Sequence, residues 1–210
     1  MKLLIAIPAY SDVPVPFIES LDKLRDNLRD NDIEHTVEYK TGTLVYAARD
    51  ALTVKARQED YTHVLWLDSD MIFTEQVVDD LLFCGKPFVS GVYHGRRPPH
   101  VSCVFKSLHP IERYVYGGYP TDAFKIGGCG LGCCLMETSV LKAVWDKYST
   151  CFLPTAELGE DLAFCARVAS CGIEMWAEPS IRLGHIGHLP IYPEDEIGWR
   201  ERVDGIERFL

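Results

Sequence analysis

The sequence predicts an α/β fold in which a mainly parallel, doubly wound sheet forms a single domain. The first observation behind this prediction is that apolar strand patterns alternate with amphipathic helix patterns, which is typical of parallel sheets with helical crossovers. The second is size, because 210 residues with 47% hydrophobic and 25% charged residues suffice for one full core. The third is continuity, since no linker, repeat or low-complexity stretch divides the chain.

The first half of the chain is predicted to run strand, helix, strand, helix, strand. The predicted elements are strands at 2–7, 33–39 and 64–67 and helices at 17–28 and 44–58. Phe17, Leu21 and Leu24 recur at helical spacing, and Pro8 ends the first apolar run. Ligands of such sheets bind beyond the carboxyl ends of the strands, so the segments after the first and third strands should share one crevice.

The second half is less regular. Its predicted elements are helices at 74–83, 139–148 and from 160 onward, strands at 87–93, 101–105, 113–116 and 173–177, and a charged helical tail at 194–210. A basic loop occupies 93–99. The glycines of 126–136 do not fit the dinucleotide-binding fingerprint, so they predict a close backbone approach or a turn beside a ligand.

An acidic motif, Asp68-Ser69-Asp70, follows the buried strand at 64–67. Side chains two residues apart on an extended backbone lie on the same side, so both carboxylates should point to one place. Two such oxygen ligands suit Mg²⁺ or Mn²⁺, which could in turn hold a diphosphate. The alternative is that the pair caps the next helix or faces solvent.

Two further groups are candidates for a site. Glu160 and Asp161 open a helical pattern, where acidic residues are also favoured by the helix dipole, so a simple helix cap is the alternative. His185 stands between glycines, outside any periodic apolar pattern, and imidazole binds transition metals well.

Charge, hydropathy and cysteine spacing exclude several classes of protein. The net charge of −10 argues against a general nucleic-acid binder. Pro8 interrupts the apolar start, and no apolar window is long enough to cross a bilayer, so we expect a cytoplasmic protein without a transmembrane segment. The eight cysteines form no paired C-x-x-C knuckles, so free thiols are expected rather than a zinc site or disulfides.

Taken in order along the chain, these pieces resemble the metal-dependent glycosyltransferases of the GT-A fold, in particular the family-2-like group. The matching segments are 5–10, Ala48-Arg49-Asp50, 67–70, and Gly159-Glu160-Asp161 followed by 184–187. The resemblance implies a Rossmann-like, three-layer GT-A domain over 1–210. Within it, 1–95 would be the nucleotide-binding half and 96–210 the half that binds the acceptor and completes the metal site.

The resemblance also implies an activity: transfer of a sugar from a nucleotide diphosphate sugar, expected to be a UDP-sugar, to an acceptor hydroxyl with inversion. Pro8, Ala9 and Tyr10 would line the nucleotide pocket. Arg49 would support the nucleotide or the acidic motif. The acceptor class stays open among saccharides, lipids, proteins and modified nucleobases.

The remaining roles concern the metal and the acceptor proton. Asp68 would lie near the ribose and the metal, while Asp70 and His185 would bind Mn²⁺ or Mg²⁺. Asp161 would be the base that deprotonates the acceptor, although Glu160 could exchange roles with it. One departure is Asp50, where the family more often has Asn.

Three alternatives remain beside this interpretation. An aspartate-nucleophile phosphatase also uses two aspartates after an apolar strand, but usually on the first strand rather than the third. A nucleotidyltransferase would need a glycine-rich, basic loop after the first strand, which is lacking here. A catalytically silent domain that binds sugar nucleotides would be expected to have a damaged motif, whereas all the acidic residues are present.

Overall fold

A computed structural model describes residues 1–10, 12–187 and 190–191 of the chain. The helix predicted at 194–210 lies outside these residues. Within them, the helices are α1 (Val15–Asp30), α2 (Val45–Gln58), α3 (Val77–Phe83), α4 (Thr138–Tyr148) and α5 (Glu160–Ser170). The strands are β1 (Lys2–Pro8), β2 (Glu34–Lys40), β3 (His63–Leu67), β4 (Met71–Ile72), β5 (Phe88–Gly91), β6 (Val104–Leu108), β7 (Ile111–Arg113), β8 (Phe124–Ile126), β9 (Gly128–Cys129), β10 (Cys133–Glu137), β11 (Met175–Glu178), β12 (Gly184–Ile186) and β13 (Pro190–Ile191).

The main sheet has seven strands in the order β2-β1-β3-β10-β5-β11-β8. Strands β2, β1 and β3 are parallel neighbours, and β11 is parallel to β5. Strand β10 runs antiparallel to both β3 and β5, so these two share one direction, and β8 runs antiparallel to β11. The predicted α/β class with a mainly parallel sheet is therefore confirmed.

Helices cover both faces of this sheet and give three layers. Along β1, Leu3 and Ile5 pack into one core with α1 and α3, whereas Leu4 and Ala6 pack into the other with α2, α4 and α5. This alternation follows from the two-residue period of a strand. Because β1 is buried on both faces, it has the continuous apolar sequence expected of a central parallel strand.

The least accurate prediction concerned the glycine-rich segment, which forms strands β9 and β10 rather than only a turn. Strand β10 occupies the centre of the sheet between β3 and β5. The predicted close backbone approach is nevertheless confirmed at Gly127, where an added Cβ would lie 2.6 Å from the carbonyl oxygen of Lys106. The short strands predicted at 101–105 and 113–116 are found at Val104–Leu108 (β6) and Ile111–Arg113 (β7). They lie closer together than predicted because they form a hairpin in which Leu108 pairs with Ile111.

Two small sheets complete the structure, in the orders β13-β12-β4 and β7-β6-β9. Helix α3 begins at Val77 instead of Thr74 because the chain after the acidic motif first forms β4. Strand β4 pairs with β12, with Met71 opposite His185. The small sheet thereby brings residues distant in sequence to the end of β3.

All eight cysteine thiols are free in the structure. None of the helices in the described ranges is long and apolar enough to cross a membrane. The division into a nucleotide-binding half, 1–95, and an acceptor half, 96–210, stays a prediction. The two segments share one sheet, because β10 lies between β3 and β5.

Candidate functional site

The carboxyl ends of β1 and β3 border a cleft of about 520 Å³. The predicted site residues that line it are Pro8, Ala9, Tyr10, Arg49, Asp68, Asp70, Glu160 and His185. The parallel pairing of the two strands places their last residues at the same edge of the sheet. The crevice expected from the sequence is therefore present. The individual roles assigned to its residues stay predictions.

Arg49 lies at the base of this cleft on α2 and is 1% exposed. Its Nη2 donates to Oδ1 of Asp68 at 2.7 Å and lies 3.6 Å from Oδ1 of Asp161. The rings of Trp66 and Phe152 lie 5.5 and 5.9 Å from its guanidinium carbon. Of its two predicted partners, nucleotide and acidic motif, Arg49 contacts the second, and it joins that motif to the start of α5.

Asp161 is in the first turn of α5, whose N-cap residue is Gly159, so the interpretation of this carboxylate as the helix cap is wrong. Its side chain is 25% exposed, and the backbone N–H of Leu131 donates to its Oδ2 at 3.4 Å. Burial raises the pKa of Asp161 to about 7, although Arg49 opposes this shift. A carboxyl group with this pKa exchanges its proton near neutral pH.

Asp70 and His185 face each other with 3.4 Å between Oδ2 and Nε2. The Nδ1 atom of His185 lies 2.9 Å from the backbone carbonyl oxygen of His94, which fixes the proton on Nδ1 and leaves Nε2 toward the carboxylate. Burial alone would lower the pKa of His185, but the interaction with Asp70 raises it above its usual value. Burial likewise opposes ionisation of Asp70, yet His185 and Arg96 lower its pKa.

A carboxylate oxygen and an imidazole nitrogen at this separation are a chemically suitable pair of ligands for Mn²⁺. Asp70 and His185 therefore fit the predicted metal as two of its ligands. Asp68 is directed toward Arg49 instead. In the described part of the chain, no cluster of three or more His, Cys, Asp and Glu residues could hold a metal. A metal-binding role for Asp68 stays a prediction.

The sequence interpretation gave no role to Arg96, which forms an ion pair with Asp70 and lines the cleft. The signal was present in the basic loop, where Arg96 and Arg97 stand between a glycine and two prolines. The loop is closed at its base by a bridge between His94 and Ser102, and Gly95 N–H donates to the carbonyl oxygen of Val101 at 2.9 Å. This closure positions Arg96 beside the acidic motif.

Tyr93 was also missed, and it explains the glycines of the segment before β10. An added Cβ would lie 2.2 Å from the Tyr93 hydroxyl at Gly130 and 2.9 Å from it at Gly132. The backbone N–H of Gly132 donates to this hydroxyl at 3.0 Å, and the ring of Tyr93 stands edge-on to His185 with 5.6 Å between centroids. The glycines thus leave room for a tyrosine that supports the histidine.

Asp50, the departure from the family pattern, stabilises the chain on the other side of α2. Its carboxylate accepts hydrogen bonds from the Thr150 hydroxyl and from the backbone N–H groups of Cys151 and Phe152, at 2.9 and 3.0 Å for the latter two. An acceptor for three donors is satisfied better by a carboxylate than by an amide. The departure has a structural explanation.

A second cavity of about 330 Å³ adjoins the cleft and shares Asp68, Glu160 and His185 with it. Asp161 lines this second cavity but not the cleft, and it is the one predicted site residue that does not line the cleft. The site therefore consists of two adjoining spaces with the carboxylates of Asp68 and Glu160 common to both. Such an arrangement suits a reaction between two bound molecules.

Comparison with known proteins shows the fold. No protein-family model and no curated protein matches the sequence. The structure is similar to protein A197 from STIV, with a TM-score of 0.61 and 23% identity over 93% of this chain and 92% of that one. It is also similar to the catalytic domain of Drosophila β1,4-galactosyltransferase 7 in complex with xylobiose, with a TM-score of 0.53 and 12% identity over 86% of this chain and 66% of that one.

A third similar structure is GalNAc-T7 with UDP, GalNAc and Mn²⁺, at a TM-score of 0.55 and 10% identity. The match covers 90% of this chain but 44% of that one. The fold is therefore that of the GT-A glycosyltransferases, as the resemblance implied. The family-2-like grouping stays a prediction.

Proposed function

We propose that this protein is a metal-dependent glycosyltransferase that transfers a sugar from a UDP-sugar to an acceptor hydroxyl with inversion. The proposal rests on one observation: the facing pair Asp70 and His185, the cation Arg96 and the partly exposed carboxylate Asp161 meet around two adjoining cavities. Each of these groups matches a requirement of sugar transfer. The GT-A fold adds support, because the neighbours with glycosyltransferase names share it.

The donor would occupy the larger cleft. Tyr10, which is 88% exposed, offers a ring on which the base can stack, and Pro8 and Ala9 form the adjoining surface. The diphosphate would bind to Arg96, whose guanidinium already interacts with the acidic motif. A neighbour of the same fold was solved with UDP and Mn²⁺, which favours this donor class.

The metal would be held by Asp70 and His185, with Asp68 near the ribose. When bound, Mn²⁺ or Mg²⁺ acts as a Lewis acid that stabilises the negative charge on the departing diphosphate. Arg96 adds positive charge at the same place. His185 keeps its ring orientation through the carbonyl oxygen of His94, 2.9 Å from its Nδ1.

The acceptor hydroxyl would enter from the second cavity and give its proton to the carboxylate of Asp161. The hydroxyl oxygen then bonds to the anomeric carbon while the bond from that carbon to the diphosphate oxygen breaks, and the diphosphate leaves with the electron pair. Attack on the face opposite the diphosphate inverts the anomeric centre. A base with a pKa near the working pH is suited to this step.

The test is a panel of UDP- and GDP-sugars incubated with the protein and Mn²⁺ in the absence of acceptor, with slow donor hydrolysis as the readout. We expect hydrolysis of a UDP-sugar, its loss with a chelator, and its loss in Asp70→Asn. Asp26→Asn is the matched control, because Asp26 is an exposed carboxylate on α1. Hydrolysis that persists in Asp70→Asn with chelator present would exclude the proposed mechanism. Binding of the donor without turnover, with or without an acceptor, would instead support a silent binding domain.

A further inference from the structure

The second cavity contains one arginine, Arg113, among its lining residues. Arg113 ends β7 and pairs with Phe105 on β6. Its Nη1 donates to the backbone carbonyl oxygen of Ser102 at 2.7 Å, and its guanidinium carbon lies 4.2 Å from the centroid of the Phe105 ring. The cation is thus held in place by strand pairing, a hydrogen bond and an aromatic face.

Arg113 forms no ion pair in the described ranges, although the carboxylates of Asp68, Glu160 and Asp161 line the same cavity. No carboxylate in the described ranges lies within 4.0 Å of its guanidinium. Lys106, on the same hairpin, shows the contrast, because its Nζ lies 2.8 Å from Oε1 of Glu112. A guanidinium has five N–H donors, and the Ser102 carbonyl takes one of them. Donors remain for an anion.

We infer that this cavity binds acceptors that have an anionic group, a carboxylate or a phosphate, on a hydroxylated ring, and that Arg113 binds this group. The inference rests on the proposed function, since it names the acceptor class of the same site. Leu162, which is partly exposed, gives the cavity an apolar surface that suits the C–H face of a sugar ring, whereas the rings of Tyr93 and Phe105 are only 3% exposed.

The charges within the cavity determine the orientation of such an acceptor. Asp68, Glu160 and Asp161 repel an anion, whereas Arg113 attracts it. Asp161 is also the proposed base. An anionic acceptor is therefore oriented with its charged group at Arg113 and a hydroxyl toward Asp161, which is the arrangement that transfer requires. A neutral acceptor lacks this constraint.

The test uses three probes that differ in charge: methyl β-D-glucoside, methyl β-D-glucuronide and glucose 6-phosphate. Binding of each to the full chain, without donor, is measured by NMR titration. We expect at least one anionic probe to bind about tenfold more tightly than the glucoside, the effect of one charge-assisted contact. A preference for the glucuronide assigns a carboxylate, and a preference for the phosphate ester assigns a phosphate.

Arg113→Gln should remove this preference, and Lys106→Gln, on the neighbouring strand, should retain it. Equal binding of all three probes to the unaltered protein would overturn the inference, as would a preference that survives in Arg113→Gln. Donor hydrolysis is measured separately on the unaltered protein. A protein that hydrolyses a UDP-sugar without preferring an anionic probe refutes this inference alone, whereas one that prefers an anionic probe without hydrolysing any donor refutes the proposed function alone.

Discussion

At the scale of single residues, Asp161 and Asp70 lie in the same site but their environments shift their pKa values in opposite directions. Asp70 is held ionised by His185 and Arg96, which lower its pKa against the effect of burial. Burial dominates at Asp161 and raises its pKa to about 7. Two carboxyl groups with opposite shifts are suited to different tasks, one to binding a cation and the other to exchanging a proton.

The first prediction concerns pH. A general base acts in its deprotonated form, so kcat/KM for an acceptor should rise as pH increases through about 7, the pKa of Asp161, and then level off. The measurement is the initial rate of transfer at low acceptor concentration between pH 5.5 and 8.5, roughly 1.5 units either side of that pKa. A flat profile across this interval would be incompatible with Asp161 as the base.

The same role predicts how substitutions at the start of α5 differ. Asp161→Asn should bind the donor normally but transfer about 10²–10⁴ times more slowly, the usual contribution of general base catalysis. Glu160→Gln should have a smaller effect and keep the inflection of the pH profile. The reverse order of the two variants would show that the roles are exchanged. Retention of anomeric configuration in the product, read by NMR, would exclude an inverting base.

At the scale of elements, Arg49 joins α2 to the end of β3 and the start of α5 through Asp68 and Asp161. Arg49 is buried while its partner carboxylates are 28% and 25% exposed, so removing the guanidinium leaves partly solvated charges and costs about 3 kcal/mol, the lower end of the range for buried pairs. Arg49→Met should lower the free energy of unfolding by that amount, as measured in urea. Arg29→Met is the matched control.

The control is informative because the ion pair of Arg29 with Asp26 has the same 2.7 Å distance but both side chains are more than half exposed. Exposed pairs contribute about 0–1 kcal/mol. Equal losses of unfolding free energy in the two variants would show that the buried ion pairs of Arg49 stabilise the protein no more than the exposed pair of Arg29. A much smaller loss in Arg29→Met supports the structural role of Arg49.

The sequence predicts elements best where one periodic pattern decides the outcome. The apolar runs of β1 and β3 and the helical spacing of α1 and α2 placed these elements within about two residues of their observed bounds. The glycines before β10 predicted a turn instead of a strand. In the structure they leave space for the Tyr93 side chain, and the chain continues into β10. Local sequence also contains no information on the direction of β10, which long-range pairing determines.

The site follows the same rule. The acidic motif and His185 could be chosen as candidates from the sequence, because their residue types and positions suggest chemistry without knowledge of the fold, and both line the cleft. The ion pair of Arg96 with Asp70 was not, since it depends on a loop whose closure joins His94 and Ser102. The position of Arg113 beside Phe105 depends in the same way on the pairing of β6 and β7.

At the scale of the whole molecule, the proposed donor site joins segments from both ends of the chain. Tyr10 follows β1, Asp70 follows β3, and His185 lies on β12 more than a hundred residues later. A ligand that contacts all three must be bound by the folded chain and not by the unfolded one. Binding of this kind raises stability by mass action.

The last prediction follows from this assembly. UDP with Mn²⁺ at about a hundredfold above its dissociation constant should stabilise the protein by about 2.7 kcal/mol. For a chain of this size that corresponds to a rise in Tm of about 5–10 °C. The measurement is thermal unfolding with UDP, Mn²⁺, both together, and both with excess chelator. Because Asp70 and His185 are proposed to hold the metal that binds the diphosphate, the rise should require both ligands and disappear with the chelator.

His185→Ala should lose most of this rise in Tm, whereas His35→Ala, on β2 outside the cleft, should keep it. GDP with Mn²⁺ should give a smaller rise than UDP if the surface of Pro8 to Tyr10 selects the base. A rise with GDP alone, or a rise with UDP that is unchanged in His185→Ala, would mean that the nucleotide binds without the metal pair. Either result would show that the protein has the observed fold but does not bind its donor through the proposed metal.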